Sequence, residues 1–377
     1  MASVRHARSP RFGWVKLAAL LVPLLLVLAA CGGDDSGGSS AGGGGEAPAK
    51  ITILLPFQRS IAFWPVHVAE EQGFFKEQGL EVTSEATDGS SFVVQQIAAG
   101  KSPVGIAVAE PVLLGYEQNQ NFTSVYDFLT GNVFDLWVLS DSKVQAVGDL
   151  AKGDKIALKE QSGGEIPRLN AALEKEGLKP GTDIEYVYFG ENSAVAADLM
   201  AKGKTQALMI SWNSVVGVKQ ALKEEGKELR CVTCTAEQNL ASESVIVNNE
   251  FLNDNREAVE KLGRAMAQAT VFGATNPDAA LAIMKKVNPE EQVDEAYAKA
   301  YFTAAVDITK PRQPTNKYGW HDLQAYDRSM QLLLTPGNPS GLTAPVDLEK
   351  AISNAYVDAY NNFDKAAVES AAKTATG

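Results

Sequence analysis

The chain has 377 residues, 46 of them acidic and 34 basic, and its formal net charge is −12. This length is sufficient for two domains of ordinary size. The acidic balance argues against nucleic acid as a partner, because phosphates require a basic surface. It says little about a small ligand, which responds mainly to the charges of its own binding site.

The N-terminus has the pattern of a bacterial signal peptide. Four basic residues between positions 5 and 16 precede an apolar run at 17–29, which is short for a membrane span but has the length of a signal-peptide core. The run ends in Leu28-Ala29-Ala30-Cys31, which resembles the lipobox of bacterial lipoproteins. We therefore predict a lipoprotein signal peptide over residues 1–30 and a lipid on Cys31. An ordinary secretory signal is the alternative.

Residues 31–49 are predicted to form a flexible linker. Gly, Ser and Asp dominate this stretch, and such residues bury too little apolar surface to fold. The remaining sequence has no second long apolar segment. The pattern predicts a body anchored by lipid at the extracytoplasmic side of the cell membrane, on its periplasmic side or at the cell surface. Transport across the membrane would then require partner proteins.

From residue 50 onward, apolar strands alternate with helices. Strands are predicted at 51–57, 80–83 and 104–108, with helices that begin at Trp64 and after Ser91. A second unit has strands at 156–158, 184–188 and 207–210, with helices that follow Gly164 and Asn192. This alternation predicts α/β structure with mostly parallel sheets. A further strand at 244–248 is expected to return to the first unit. Helices are predicted after it at 256–273, 277–287, 291–305, 320–334 and 348–360.

The two units are weakly similar to each other. Residues 99–104 (AGKSPV) and 202–207 (KGKTQA) each place a glycine and a short turn between a helix and an apolar strand. Two similar lobes in one chain predict a cleft between them. Chance similarity at a common type of junction is the alternative.

Several motifs, in this order, resemble those of a known family. They are WPVHVAEEQGFFKEQGLEV, DGSSFVVQQIAAGKSPVGIAVAEPVLL, VGDLAKGDKIALKEQSGGE and AADLMAKGKTQALMISWN, followed by YGWHDLQAYDRSMQLL and NNFD. The family is that of the ABC-transporter solute-binding proteins for thiamine pyrimidine precursors, sulfonates, taurine and nitrate. The resemblance covers residues 50 to about 364. Pro103 and Gln206 depart from it, since the family usually has Asp there.

The resemblance implies the α/β fold of type II periplasmic binding proteins, in which two Rossmann-like lobes are joined by a two-segment hinge. Applied to this chain, it implies a first lobe of residues 50–137 and 242–377, the latter including the C-terminal helices, and a second lobe of 138–241. The crossings would lie near 130–138 and 240–244.

The same resemblance implies a receptor without enzymatic activity. It would capture a small organic solute between the lobes and deliver it to the permease and ATPase subunits of an ABC importer, as a monomer without a cofactor. A surface sensor or adhesin of the same fold is one alternative. A pyrimidine synthase like those of the yeast thiamine pathway is another. It is disfavoured because the chain has no cysteine cluster and Phe63 stands near the position of those enzymes' histidine.

Candidate ligand contacts follow from the rule that open α/β sheets bind ligands beyond the carboxyl ends of their strands, beside helix N-termini. The predicted contacts are Phe57, Trp64, Gly89, Ser90, Ser91, Glu110, Ser162, Gly163, Gly164, Trp212 and Asn213. Helix capping explains the Ser and Gly positions equally well, and Trp is often a core residue. Glu110 favours an amine or aminopyrimidine ligand, whereas the Ser/Gly corners favour a sulfonate or another anion, and both remain open.

Other chemistry has little support. His67 and His321 lie far apart in the sequence and have no neighbouring Cys or acidic motif with metal-ligand spacing, so no metal site or catalytic triad is predicted. Cys231 and Cys234 have β-prone neighbours and are predicted to form a small structural disulfide, as is common outside the cytoplasm. Free thiols and a redox motif are the alternatives.

Overall fold

The computed structural model describes residues 49–376 apart from 162, 191, 235–239, 293, 312 and 313. Residues 47–377 form one compact unit. The predicted signal peptide, linker and lipidation site at Cys31, like the predicted contact Ser162, lie outside the described residues. Within the described part of the chain, no helix combines the length and apolar character that a membrane span requires.

The first sheet has five strands. They are β1 Ala49–Leu55, β2 Leu80–Ala86, β3 Val104–Val108, β4 Phe122–Asp127 and β10 Glu243–Asn248. Their spatial order is β2–β1–β3–β10–β4. β1 is parallel to β2 and β3, and β10 is antiparallel to both of its neighbours.

The second sheet repeats this arrangement. Its strands are β5 Phe134–Leu139, β6 Lys155–Leu158, β7 Glu185–Tyr188, β8 Ala207–Ser211 and β9 Leu229–Cys231. The order is β7–β6–β8–β5–β9, and β5 is the antiparallel strand. Both sheets are therefore mixed, whereas the sequence predicted mostly parallel strands. The predicted α/β class is confirmed.

Two crossing segments connect the sheets. The chain leaves β4, crosses through residues 128–133 and enters the second sheet as β5. It returns between β9, which ends at Cys231, and β10, which begins at Glu243. Each crossing thus ends in the antiparallel strand of the sheet that it enters.

Helices cover the faces of both sheets. They are α1 Trp64–Glu71, α2 Phe74–Glu77, α3 Ser90–Ala98, α4 Ala109–Glu117, α5 Ile166–Lys175, α6 Ser193–Ala201, α7 Trp212–Glu224, α8 Asn249–Asp254, α9 Arg256–Thr275, α10 Pro277–Val287, α11 Glu295–Ile308, α12 Leu323–Leu333, α13 Leu348–Ala351, α14 Val357–Tyr360 and α15 Lys365–Thr374. α1, α5 and α10 have Pro in the first turn, where its missing N–H is not needed.

Each sheet has its own hydrophobic core. The largest cluster packs β1, β3 and β10 against α1 and α9. In the second sheet, successive residues of β8 alternate between two clusters, with Leu208 and Ile210 on one face and Met209 on the other. This is the two-residue period expected of a strand buried on both faces. Two separate cores leave the space between the sheets for a cleft.

Three helix predictions near the C-terminus are corrected. The predicted helix 348–360 is two short helices, because Ile352 is extended and bridges Ser124 of β4. The helices predicted from 291 and 320 begin later, at Glu295 and Leu323. Asp294 and Asp322 cap them by accepting backbone N–H groups, which marks the start of a helix.

Candidate ligand-binding cleft

A cavity of about 400 Å³ lies between the two sheets. Its walls are the segments that follow the carboxyl ends of β1, β2 and β3 on one side and of β6 and β8 on the other, together with the start of β10. This is where open α/β sheets bind ligands. We call this cavity the cleft.

The structure brings seven of the predicted contact residues to the cleft. They are Phe57, Gly89, Ser90, Gly163, Gly164, Trp212 and Asn213. Both sheets contribute to this set. Ser91, Glu110 and Trp64 do not line the cleft.

The corner at Gly89 and Ser90 is held by hydrogen bonds to two neighbouring strands. The N–H of Gly89 donates to the carbonyl of Pro56, at 2.7 Å. The backbone N–H of Val108 donates to Oγ of Ser90, at 3.2 Å. Gly89 has φ +99°, which side-chain-bearing residues rarely adopt. Ser91, one position further, is exposed and does not line the cleft, since the first turn of α3 carries it outward.

The corner at Gly163 and Gly164 brings the second sheet close to the first. A Cβ on Gly164 would lie 2.9 Å from Cγ2 of Val108, the last residue of β3. A Cβ on Gly163 would lie 2.3 Å from the carboxyl group of Glu165. A Cβ at position 164 would force the short, buried Val108 side chain to shift, whereas the Glu165 carboxyl is the end of a flexible side chain and could move away from a Cβ at position 163.

Two buried carboxyl groups line the cleft, and neither was among the contacts predicted from the sequence. Glu165 precedes α5 and is 3% exposed; Glu243 begins β10 and is 4% exposed. Burial raises the pKa of Glu165 to about 7 and the pKa of Glu243 to about 8, because desolvation disfavours the charged form. Oε1 of Glu165 and Oε2 of Glu243 have no hydrogen-bond partner among the described residues.

Aromatic side chains and one lysine form much of the remaining wall. Phe57 packs on Phe63 at 4.6 Å between ring centroids. Nζ of Lys159, from the other sheet, lies 5.2 Å from the Phe57 centroid. Trp212 packs on Tyr301 at 5.4 Å. Partly exposed aromatic faces at a cleft provide stacking surface for a planar or apolar ligand.

A second cavity of about 440 Å³ continues from the cleft. Phe57, Lys159 and Asn213 line both cavities. The far wall includes Glu291, whose carboxylate accepts the N–H of Ile61 at 2.7 Å, and burial raises the pKa of Glu291 to about 7.

Glu110 does not line the cleft, because an arginine from the other sheet's helix binds it. Nε and Nη2 of Arg168 lie 2.8 Å from Oε1 of Glu110, and both side chains are buried. Arg168 also donates to the carbonyls of Phe134 and Ala241, at 3.0 and 3.4 Å. The expected pairing of Glu110 with a ligand amine is replaced by this ion pair beside the crossing segments.

Trp64 is a core residue. It is fully buried, its ring lies 5.3 Å from that of Phe302, and the absence of a side chain at Gly273 makes room for it. Trp64 opens α1, and its ring points into the large core rather than the cleft. Trp64 therefore lies in the core, which was the alternative to the predicted ligand contact.

Cys231 and Cys234 form a disulfide at the end of β9. Asp135 lies near both sulfur atoms. Because the sulfurs are bonded to each other, this group offers no thiolates to a metal ion.

The model of one protein family, described as NMT1/THI5 like, matches residues 60–280. The matched part contains both crossing segments and nearly all of the cleft. The chain belongs to the NMT1/THI5-like family. Among the relatives of this NMT1/THI5-like chain is the riboflavin-binding protein RibY of Chloroflexus aurantiacus. It is 24% identical, over 82% of this chain and 86% of RibY.

A second relative is named as an enzyme. It is the 4-amino-5-hydroxymethyl-2-methylpyrimidine phosphate synthase THI13 of Saccharomyces cerevisiae, 26% identical over 68% of this chain and 78% of the yeast protein. Among solved structures, the periplasmic aliphatic sulphonate binding protein SsuA of Escherichia coli superposes with a TM-score of 0.61 at 16% identity. The match covers 81% of this chain and 92% of SsuA. This likeness confirms the predicted periplasmic-binding-protein fold.

Proposed function

We propose that this protein is the extracytoplasmic substrate-binding component of an ABC importer. It captures a small organic solute in the cleft and delivers it to a membrane permease driven by separate ATPase subunits. The observation that carries the proposal is a cavity walled by the strand ends of two sheets, which are connected by two crossing segments. Binding sites between two hinged lobes enclose a ligand when the lobes close.

The names of similar proteins support this role. RibY is named for binding riboflavin and SsuA for binding aliphatic sulphonates, and both names describe capture of a small molecule rather than its conversion. The proposal includes a lipid on Cys31, which would hold the monomeric receptor at the membrane surface beside its permease. A sensor or adhesin of the same fold would differ in its partner, not in its cleft.

A pyrimidine synthase is the second candidate, because the yeast relatives are named as synthases. The residues that line the cleft argue against a synthase. Among the described residues that line the cleft there is no His and no Cys. His67 is buried beside Arg59 and Glu70, and Nε2 of His321 lies 2.9 Å from Oγ of Ser124. Neither histidine offers a proton-transfer group to a ligand in the cleft.

A thermal-shift screen tests the receptor proposal. The purified protein is heated with 4-amino-5-hydroxymethyl-2-methylpyrimidine, riboflavin, alkanesulfonates, taurine, nitrate and aromatic acids. We expect at least one compound to raise the melting temperature with dose, as linkage requires, and to be recovered intact by mass spectrometry. Conversion of the compound by the protein alone contradicts the receptor proposal and favours the synthase.

A further inference from the structure

We infer that Tyr301 of α11 is a positioning residue, which joins one wall of the cleft from the first sheet to one wall from the second and so sets the width of the cleft in the ligand-free protein. This inference rests on the proposed function, because it concerns how the same cleft is held ready for a solute. Tyr301 is not among the described residues that line the cleft. Its effect on a solute would therefore pass through the residues that it contacts.

Tyr301 is fixed on the side of the first sheet. Its side chain is 2% exposed and packs in the same hydrophobic cluster as Phe302 and the residues of β1. The end of α11 is attached to the first crossing segment, where the N–H of Thr130 donates to the carbonyl of Ile308, at 2.7 Å. The helix that carries Tyr301 thus belongs to the core of the first sheet.

The side chain of Tyr301 reaches both walls of the cleft. Its ring lies 5.4 Å from that of Trp212, which begins α7 directly after β8 of the second sheet. Its hydroxyl is hydrogen-bonded to the side chains of Asn213, the next residue of α7, and Ser60. Ser60 lies between β1 and α1, in the segment that carries Phe57 into the cleft. One phenol group therefore links a wall of each sheet.

Further contacts hold α7 of the second sheet against α11. Nε2 of Gln220 donates to the carboxylate of Asp294, which caps α11. A Cβ on Gly217 would lie 3.6 Å from Cε2 of Tyr297, which is an ordinary van der Waals distance. The two helices therefore pack on each other, and the Tyr301 hydroxyl adds the connection to the segment between β1 and α1.

That segment is also held by residues just before α11. Nδ2 of Asn288 donates to the carbonyl of Arg59, at 3.0 Å, and the carboxyl of Glu291 accepts the N–H of Ile61, at 2.7 Å. A carboxyl oxygen can accept such a bond in either protonation state. The chain before α11 thus fixes the first wall, and the hydroxyl of Tyr301 extends this hold to the second wall.

A bond that spans two walls opposes their separation. Hinged proteins open by rotation at a few connecting residues, and here the walls would move apart at the contact between Tyr301 and Asn213. Removing the hydroxyl would leave the buried polar partners without that bond, whereas the ring would keep its packing on Trp212. Loss of the hydroxyl should therefore release the walls and leave the core of the first sheet intact.

Pulsed electron paramagnetic resonance on the ligand-free protein tests the inference by measuring the distance between the walls. Phe92→Cys and Val195→Cys carry the spin labels, because both positions are 42% exposed. Each lies in the first turn of the helix that follows the edge strand of its sheet, α3 after β2 and α6 after β7. Cys31→Ala removes a competing thiol, and Cys231 and Cys234 are bonded to each other.

The distance is compared among this labelled background, Tyr301→Phe and Tyr360→Phe. Tyr360 is the matched control, since it is fully buried and its hydroxyl donates to the carbonyl of Val125 within the first sheet. We expect Tyr301→Phe to lengthen the mean distance by about 2 Å or more, the scale of a domain rearrangement. The control should keep the distance distribution of the background.

Two results overturn the inference. The first is a mean distance in Tyr301→Phe that shortens or stays within about 2 Å of the background, because the hydroxyl then does not hold the walls. The second is equal lengthening in Tyr360→Phe, because loss of any buried hydroxyl would then loosen the protein. Neither result bears on the receptor proposal, which depends on solute binding in the thermal-shift screen. A screen without any hit would count against the receptor proposal and would leave the measured distances unchanged.

Discussion

The two buried carboxyl groups of the cleft lower the stability of the empty protein. A group whose folded-state pKa is raised above its unfolded value favours folding while it is protonated, and this contribution is lost as the pH rises. Burial raises the pKa of Glu165 to about 7 and of Glu243 to about 8, against 4.5 for an unperturbed Glu. The free energy of unfolding therefore decreases as the pH rises from about 5 to about 8.

This sign gives a prediction for the empty protein. The free energy of unfolding should fall from pH 5 to pH 9 by about 3 kcal/mol through Glu165 and by about 4 kcal/mol through Glu243, since one pKa unit corresponds to about 1.4 kcal/mol. Glu165→Gln and Glu243→Gln should each flatten the profile, whereas Glu224→Gln, at an exposed position of α7, should follow the wild type. Urea unfolding at several pH values measures this. Parallel profiles for all four proteins would refute the account of these two residues.

The ion pair between Glu110 and Arg168 joins helices from the two sheets, and Arg168 also binds a carbonyl near each crossing segment. Removing one partner from a buried pair leaves an uncompensated charge, which typically costs about 3–5 kcal/mol. We expect Glu110→Gln and Arg168→Met each to destabilise the protein strongly. Neither variant should remove a direct contact with the ligand.

A double-variant cycle measures this coupling by urea unfolding. Glu110→Gln combined with Arg168→Met should cost less than the two single changes added together, because no lone charge stays buried. If the single costs simply add, the two side chains do not act as a pair.

The sequence located some cleft residues and not others for a clear reason. Gly89, Ser90, Gly163 and Gly164 follow predicted strands, and the strand-end rule applies to them directly. In the sequence, Glu165 looks like a common acidic residue at the start of a helix, and Glu243 looks like a polar residue beside a strand. Only the tertiary structure shows that both are buried. Glu110 satisfied the same rule as the glycines, but its partner Arg168 lies 58 positions away in sequence.

Among the secondary-structure elements, the sequence predicted those with local signals. The β1, β2, β3, β6, β7, β8 and β10 strands have apolar runs bounded by turn residues. β4, β5 and β9 were missed, along with α2, α7, α8 and α15. β9 has only three residues, and β5 joins its sheet through antiparallel pairing with distant β8 and β9. Nonlocal pairing leaves little trace in a local pattern.

Because Gly164 lies close to β3, we predict that a larger side chain at position 164 weakens ligand binding. Gly164→Val would drive side-chain atoms into Val108 across the cleft, where even a Cβ would lie 2.9 Å away. Overpacking of this kind costs about 1–3 kcal/mol, so the ligand should bind about tenfold or more weakly when closure is opposed. Calorimetry with any hit from the thermal-shift screen measures the effect. Ala366→Val, at an exposed position of α15, is the control, and equal losses in both variants would contradict the assignment.

At the level of the whole molecule, two sheets of the same strand pattern each receive one antiparallel strand from a crossing segment. Each sheet is stabilised by its own buried clusters. Burial of apolar surface within each sheet's core thus supplies stability, and the space between the sheets is left for polar groups and a ligand. This division of roles explains why costly buried acids lie between the sheets.

The proposed lipid on Cys31, which lies outside the described residues, is tested by labelling. Expressed in a bacterial host, the wild-type chain should incorporate labelled fatty acid and partition into the membrane fraction. Cys31→Ala should be released or should remain as the uncleaved precursor, whereas Cys231→Ala should still be lipidated. Equal labelling of wild type and Cys31→Ala would exclude a lipid at this cysteine.

The most direct test of the receptor account is a crystal structure of the protein with a ligand identified in the screen. The account predicts one molecule between the sheets, in contact with residues that line the cleft, such as Phe57 or Trp212. A ligand bound elsewhere, with the cleft unoccupied, would contradict the account.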